Sequence, residues 1–231
     1  MVNTIGKWPW LHNGQQLPII IRMLVGRGWG QGPTHSQSFH GWFASMHGWD
    51  TEYPVETHGL KSAWVNARAH GTPTVMIEPR RMYDRGDDAY TTRADSEAVV
   101  MTLGDAIIEA NTAGNFLESK GINVSAIPLQ AMSSSAMFGL SIGPSWPEWA
   151  PFLVVDSVPG QSDWLVAQLA LRGNTVKRLT PPDTPCPSSP AGEAAWYPSV
   201  EDIVRAVCGL TGSPYSDDWD IPGVSGRDGR K

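Results

Sequence analysis

Four glycines fall on every second position of Gly26-Arg-Gly-Trp-Gly-Gln-Gly32, directly after the apolar run Leu17-Pro-Ile-Ile-Ile-Arg-Met-Leu-Val25. Glycine permits close backbone approach and dihedrals that other residues avoid. A strand over 19–25 therefore feeds a glycine loop. The loop delivers His35 in Pro33-Thr-His-Ser-Gln-Ser38, where a helical pattern over 36–46 begins behind the helix-start residues Pro33 and Thr34. In an open parallel sheet, the carboxyl end of a strand is where ligands bind.

The rest of the chain alternates strand and helix patterns, which predicts an α/β protein with parallel sheets. Ahead of residue 80 the pattern predicts an extended piece over 51–55, a helix capped by Thr57 and running to 69, and a strand over 74–77. Beyond it come strands over 98–103, 122–129, 151–155 and 175–179, and helices over 106–119, 164–171 and 199–210. Ser199 with Asp202 reads as a capping box. The charged, glycine-containing run from Arg80 to Asp88 breaks the periodicity between the halves, and the boundary is placed between Met82 and Asp95. This divides the chain into a first unit over 1–85, a linker over 86–95, a second unit over 96–210 and an extension over 211–231. Residues 133–151 and the proline run 181–190 read as loop.

Charged residues make up 17% of the chain and the formal net charge is −6, so no basic patch for nucleic acid is expected. No apolar run is long enough to span a bilayer, since Ile19-Ile-Ile21 is cut by Arg22. No secretion signal opens the chain. Two cysteines, Cys186 and Cys208, make neither a metal motif nor a disulfide framework, which predicts the cytoplasm. The 11 tryptophans, spread without a period, are assigned to core and interface filling.

His35 is the candidate catalytic residue, because an imidazole gives or takes a proton near neutral pH. Gly30, Gly32 and Gln37 are the loop candidates for cofactor contact. Ser36 and Gln37 read as loop-orienting residues, and no GxSxG elbow exists to make a serine nucleophile. The loop is GxGxGxG rather than GxGxxG, with no acidic ribose partner behind it, so dinucleotide binding is excluded along with the absent P-loop. His40 and His47 stand seven apart, a poor metal pair beside HExxH. They, with His12, His58 and His70, read as packed or solvated, and no metal ligands are assigned. Glu78 reads as a packing or subunit-contact residue.

These residues also carry a resemblance. Pro18 to Val25 followed by GRGWGQGPTHSQS, then Phe43, Pro54 and Pro73-Thr-Val-Met-Ile-Glu-Pro79, resembles the β subunit of the thiamine-diphosphate 2-oxo acid dehydrogenase E1 component, of the pyruvate, branched-chain and acetoin type. Val176 to Pro190 and Tyr197-Pro-Ser-Val-Glu-Asp-Ile-Val204 extend the match to about residue 210. The resemblance implies part of a transketolase-like pyrimidine-binding domain followed by a transketolase C-terminal-like domain. It implies that His35 carries protons in oxidative decarboxylation of a 2-oxo acid such as pyruvate, with transfer to a lipoyl group. Asp156 and Asp183-Thr-Pro-Cys-Pro187 would shape subunit contacts. The opening Met1 to Trp8 resembles the middle of the family's first domain. The glutamate and aromatic that the family sets on the aminopyrimidine ring are therefore expected on a separate polypeptide. Thiamine diphosphate and Mg2+ would be held mostly by other chains, in a hetero-oligomer with an E1 α subunit and a lipoyl E2. Two further readings remain at this level, a truncated assembly subunit without catalysis and another transketolase-like enzyme half. The HSQ block argues against the second, and polar Thr51-Glu-Tyr53 and Ala131-Met-Ser-Ser-Ser135 favour the first.

Overall fold

The computed structural model describes residues 1–83, 90–93, 95–133 and 150–223. The strands are β1 (Ile20–Val25), β2 (Asp50–Glu52), β3 (Thr74–Pro79), β4 (Ala98–Leu103), β5 (Val124–Leu129), β6 (Ala131–Ser133), β7 (Phe152–Val155) and β8 (Val176–Leu179). The helices are α1 (Trp8–Leu11), α2 (His40–Ala44), α3 (Thr57–His70), α4 (Ile107–Glu118), α5 (Asp163–Leu171), α6 (Pro190–Trp196) and α7 (Val200–Thr211).

They build two four-stranded sheets, ordered β1-β3-β2-β6 and β5-β4-β7-β8. The second sheet is wholly parallel. Its central strands β4 and β7 are buried along their length, as expected when helices cover both faces. Alternation along them divides the interior in two. Ala98, Val100, Leu153 and Val155 face a core shared with α4 and α7. Val99, Met101, Leu103, Phe152 and Val154 face a core shared with Val25, Trp49, Tyr53, Val75 and Ile77 of the first half. The two sheets thus share one apolar interior, and that places loops of both halves side by side.

The first sheet departs from the all-parallel expectation. β6, from the second half of the chain, pairs antiparallel with β2 through Thr51↔Met132. Its residues fall between the strand expected over 122–129 and the loop expected from 133, with no strand pattern of their own, and only the remote partner makes a strand of them. β1 occupies one end of the sheet. Because the Thr74 amide donates to the Ile19 carbonyl, the amides of Ile20, Arg22 and Leu24 face the sheet's outer edge.

Other differences are local. The first helix after the glycine loop begins at His40 rather than 36. Tertiary hydrogen bonds claim the hydroxyl and carbonyl of Ser36, and the Ser38 hydroxyl pairs locally with His40, which holds the intervening backbone out of helix. Glu56, not Thr57, is the N-cap of α3. The short helices α1 and α6 lie where no periodicity was legible. The predicted capping box of Ser199 and Asp202 is present. The segment after 211 is not a surface extension throughout, because Ile221 is buried and Tyr215 and Trp219 pack on the α4–α7 core. Half of the boundary over 82–95 and most of the loop over 133–151 lie outside the described residues.

Candidate functional site

β1 ends at Val25, and the glycine loop runs from its carboxyl end. Gly28, Gly30 and Gly32 all have positive φ, at 98°, 65° and 72°. Successive amides in such a curl converge into a nest that attracts an anion. The anion here is internal. The Gly28 amide donates to Glu193 Oε2 at 2.9 Å and the Gly30 amide to the same oxygen at 2.6 Å. Glu193 stands in the first turn of α6 and is 1% exposed. Its other oxygen accepts from the Ser36 hydroxyl at 3.1 Å. Tyr197, just past α6, donates to the Ser36 carbonyl at 3.2 Å. One short helix therefore grips the loop at Gly28, Gly30 and Ser36.

The alternate glycines are also a steric requirement. A Cβ on Gly30 would approach Pro190 within 2.7 Å, and one on Gly32 would strike the Ser188 hydroxyl. The proline-rich segment before α6 thus docks on the loop of its own chain.

His35 lies between Gly32 and Ser36 in a turn closed by the Ser36 amide on the Gly32 carbonyl at 3.2 Å. Its side chain is exposed. Gln37 is half-buried. The predicted site residues are therefore contiguous, but they differ in role. His35 is offered outward, while Gly30 and Gly32 accommodate α6 and its approach.

Beneath the loop sits a charge cluster that the sequence did not signal. Arg27 is buried among the glycines. Its Nε donates to Asp105 Oδ2 at 3.2 Å, Nη2 pairs with Glu109, and the guanidinium lies 4.5 Å from the Tyr197 ring centroid. Arg81 reaches the same two acids, at 3.4 Å and 2.8 Å. Burial works against the charge on Arg27, but Asp105 and Glu109 outweigh it and raise its pKa above the ordinary value. Burial, then the Cys186 thiol, raises the Tyr197 phenol, so it stays a neutral donor.

His40 takes the packed of the two readings open to it from the sequence. It is fully buried, with Nδ1 2.9 Å from the Ser38 hydroxyl and Nε2 3.4 Å from Asp156 Oδ2. Asp156 is equally buried and accepts from the Val158 amide at 3.1 Å. It is an internal partner of the first half rather than a surface residue for subunit contact. Glu78 behaves as expected of a packing residue, held by Arg22 at 2.7 Å and 2.6 Å and by the Tyr83 hydroxyl at 2.7 Å. The two cysteines are free and buried, and burial raises both thiols.

For a diphosphate-bearing cofactor the fit is poor on this chain. The nest amides of Gly28 and Gly30 are spent on Glu193. Among the described residues no group of three or more His, Cys, Asp and Glu side chains is arranged to hold a metal ion. What the site offers is an exposed imidazole on a loop tied by hydrogen bonds to Glu193 and Tyr197. Trp29, Phe39 and Trp42 are exposed nearby in sequence, with Trp42 at 62%. Among the described residues, no helix is long and apolar enough to cross a membrane.

No family model matches the chain. It is 26% identical over 235 residues to the β subunit of acetoin:2,6-dichlorophenolindophenol oxidoreductase of Bacillus subtilis, covering 93% of this chain and 68% of that one. The subunit of the same name from Cupriavidus necator is 23% identical over 225 residues, with 88% and 66% covered. The chain thus spans about two thirds of the length of these relatives. Among solved structures, a transketolase variant from Pichia stipitis superposes with a TM-score of 0.64 at 17% identity, over 85% of this chain and 30% of that one. A split-gene transketolase described as an inactive beta4 tetramer gives 0.62 at 14% identity, over 85% and 67%.

Proposed function

We propose, from the premise that this chain is an E1 β-type protein of the thiamine-diphosphate-dependent kind with a transketolase-type fold, that it serves as the β component of a 2-oxo acid or acetoin dehydrogenase. In that role it supplies His35 as a proton carrier. The observation that carries the reading is the exposed imidazole of His35, held at the carboxyl end of β1 by a loop whose own anion site is filled. An imidazole presented in this way can take a proton from a reacting group in a neighbouring chain's pocket and return it.

Thiamine diphosphate, when bound, would supply the electron sink for cleavage beside a carbonyl. The groups that hold its diphosphate and Mg2+ belong, on this reading, to an α subunit, because the Gly28 and Gly30 amides are taken by Glu193 and the described residues hold no group of three or more His, Cys, Asp and Glu placed for a metal ion. The protein works as a hetero-oligomer in the cytoplasm. The outer edge of β1 suits a partner strand, with Leu24 at 54% exposed and the amides of Ile20, Arg22 and Leu24 directed outward. Such a strand would come from a polypeptide that completes the first sheet. Exposed Trp10, Trp29 and Trp42 fit the aromatic enrichment of interfaces. Pyruvate as substrate and transfer to a lipoyl E2 follow only from the resemblance.

Co-expression with the products of neighbouring reading frames tests this. The expected result is a stable complex that binds thiamine diphosphate by calorimetry, while the isolated chain binds none. A monomer that takes neither partner nor cofactor would overturn the reading and leave a non-catalytic interaction module.

A further inference from the structure

We propose that Glu193 is a positioning residue for His35, acting as the built-in anion of the glycine nest. The inference rests on the functional reading of His35, but its structural part stands on geometry alone. The loop that carries His35 has little reason of its own to keep one shape. It has no regular secondary structure, and glycines at alternate positions leave its backbone entropically costly to order. Yet it presents four polar groups to one short helix. The amides of Gly28 and Gly30 meet one carboxylate oxygen of Glu193, the Ser36 hydroxyl meets the other, and the Ser36 carbonyl accepts from Tyr197. Hydrogen bonds to a carboxylate are about twice as strong as neutral ones.

The geometry brackets His35 from both sides. Gly28 and Gly30 precede it and Ser36 follows it, so a single side chain ties both flanks of the turn. Three of the four alternate glycines are then explained. Positive φ turns the amides of Gly28 and Gly30 to a common point, and missing side chains at Gly30 and Gly32 let Ser188 and Pro190 close in behind Glu193. A loop meant for an external phosphate needs no buried acid in its nest. This one is filled from within its own chain, by a residue 163 positions beyond Gly30. Glu193 therefore orders the loop rather than reacting. Its charge is matched by amide dipoles, and the nearest cluster of cations and acids, around Arg27, is balanced by its own pairs.

The test uses backbone amide relaxation of the full chain in solution. Wild-type amides of His35 and Ser36 should show order parameters near 0.85, and Glu193→Ala should drop them below about 0.6. Glu193→Gln keeps the shape and one acceptor oxygen and should restore much of the order. Ser36→Ala, which removes a single contact on the His35 side, should fall between. Amides of β4 should keep their protection in all three variants. The proposal is overturned if His35 stays rigid in Glu193→Ala. It is equally overturned if β4 loosens together with the loop in Ser36→Ala and Glu193→Gln, which would make the contact a general stabiliser. In an assembled complex, Glu193→Ala should lower kcat with KM unchanged. A wild-type complex without thiamine-dependent activity would refute the functional reading and leave the relaxation result to decide the role of Glu193.

Discussion

Arg27→Met probes the seam between the two halves most sharply. Arg27 follows β1, whereas Asp105 lies in the turn just ahead of α4 and Glu109 in its first turn. Methionine keeps the length and apolar stem but removes the charge. Asp105 is 4% exposed, so its carboxylate would lose a buried partner. Removing one member of a buried pair costs about 3–5 kcal/mol when the other charge is stranded. Here the charge is not wholly stranded, because Arg81 still lies 3.4 Å from Asp105 and 2.8 Å from Glu109. The packing of the guanidinium on Tyr197 is also lost, worth about 0.5–2 kcal/mol. A net loss of about 2–4 kcal/mol follows. For a chain of this size each kcal/mol moves Tm by about 2–4 °C, so a fall of roughly 5–15 °C is expected. Urea unfolding of Arg27→Met, Asp105→Asn and the double variant supplies the assay. The cycle should return a coupling of about 1.5 kcal/mol or more, little changed by 0.5 M salt because the pair is buried. A single-variant loss under about 0.5 kcal/mol, or additive variants, would refute the reasoning.

Three further outcomes follow from the structure. Burial first, and the neighbouring Asp50 second, push the Glu52 carboxyl from 4.5 up to about 7. The folded state then holds a proton that the unfolded state has released. Stability should fall as pH rises from about 4.5 to 7, by at most roughly 3 kcal/mol, and level off above. Urea midpoints across that range check it, and Glu52→Gln should remove the slope. Gly30→Ala should cost about 1–3 kcal/mol or more in urea unfolding, since the added methyl meets Pro190 at 2.7 Å and φ is 65°. Ser199→Ala should cost about 1 kcal/mol by the same measurement, through loss of the capping box of α7.

Much of the fold is legible where the signal is local. The β-branched runs at 98–103 and 152–155 are strands, and Ser199 with Asp202 marks a helix start by chemistry confined to four residues. The glycine repeat marks a special loop, and the histidine within the HSQ block marks where to look. What the loop holds was not legible. Glu193 sits in Ala191-Gly-Glu-Ala-Ala195, where no periodicity marks a helix. Its partners lie 157 to 165 residues away and leave no periodic trace. The same holds for β6, whose strand character comes from β2, and for His40, whose burial depends on Asp156. Nothing in the sequence marks the arginine among the glycines as buried, so its need for acidic company was not legible either. The expected helix over 36–46 forms only over 40–44, for a related reason. The hydroxyl and carbonyl of Ser36 found tertiary partners and the Ser38 hydroxyl paired locally with His40, and those bonds outweigh a weak propensity.

The central claim is that His35 moves protons in thiamine-dependent turnover. Its most direct test is the rate of 2-oxo acid decarboxylation, or of acetoin oxidation, by the assembled complex carrying His35→Ala. The account predicts a loss of about 10²–10⁴ in kcat with assembly and cofactor binding intact. An assembled, cofactor-loaded complex whose kcat is unchanged by the substitution would contradict it.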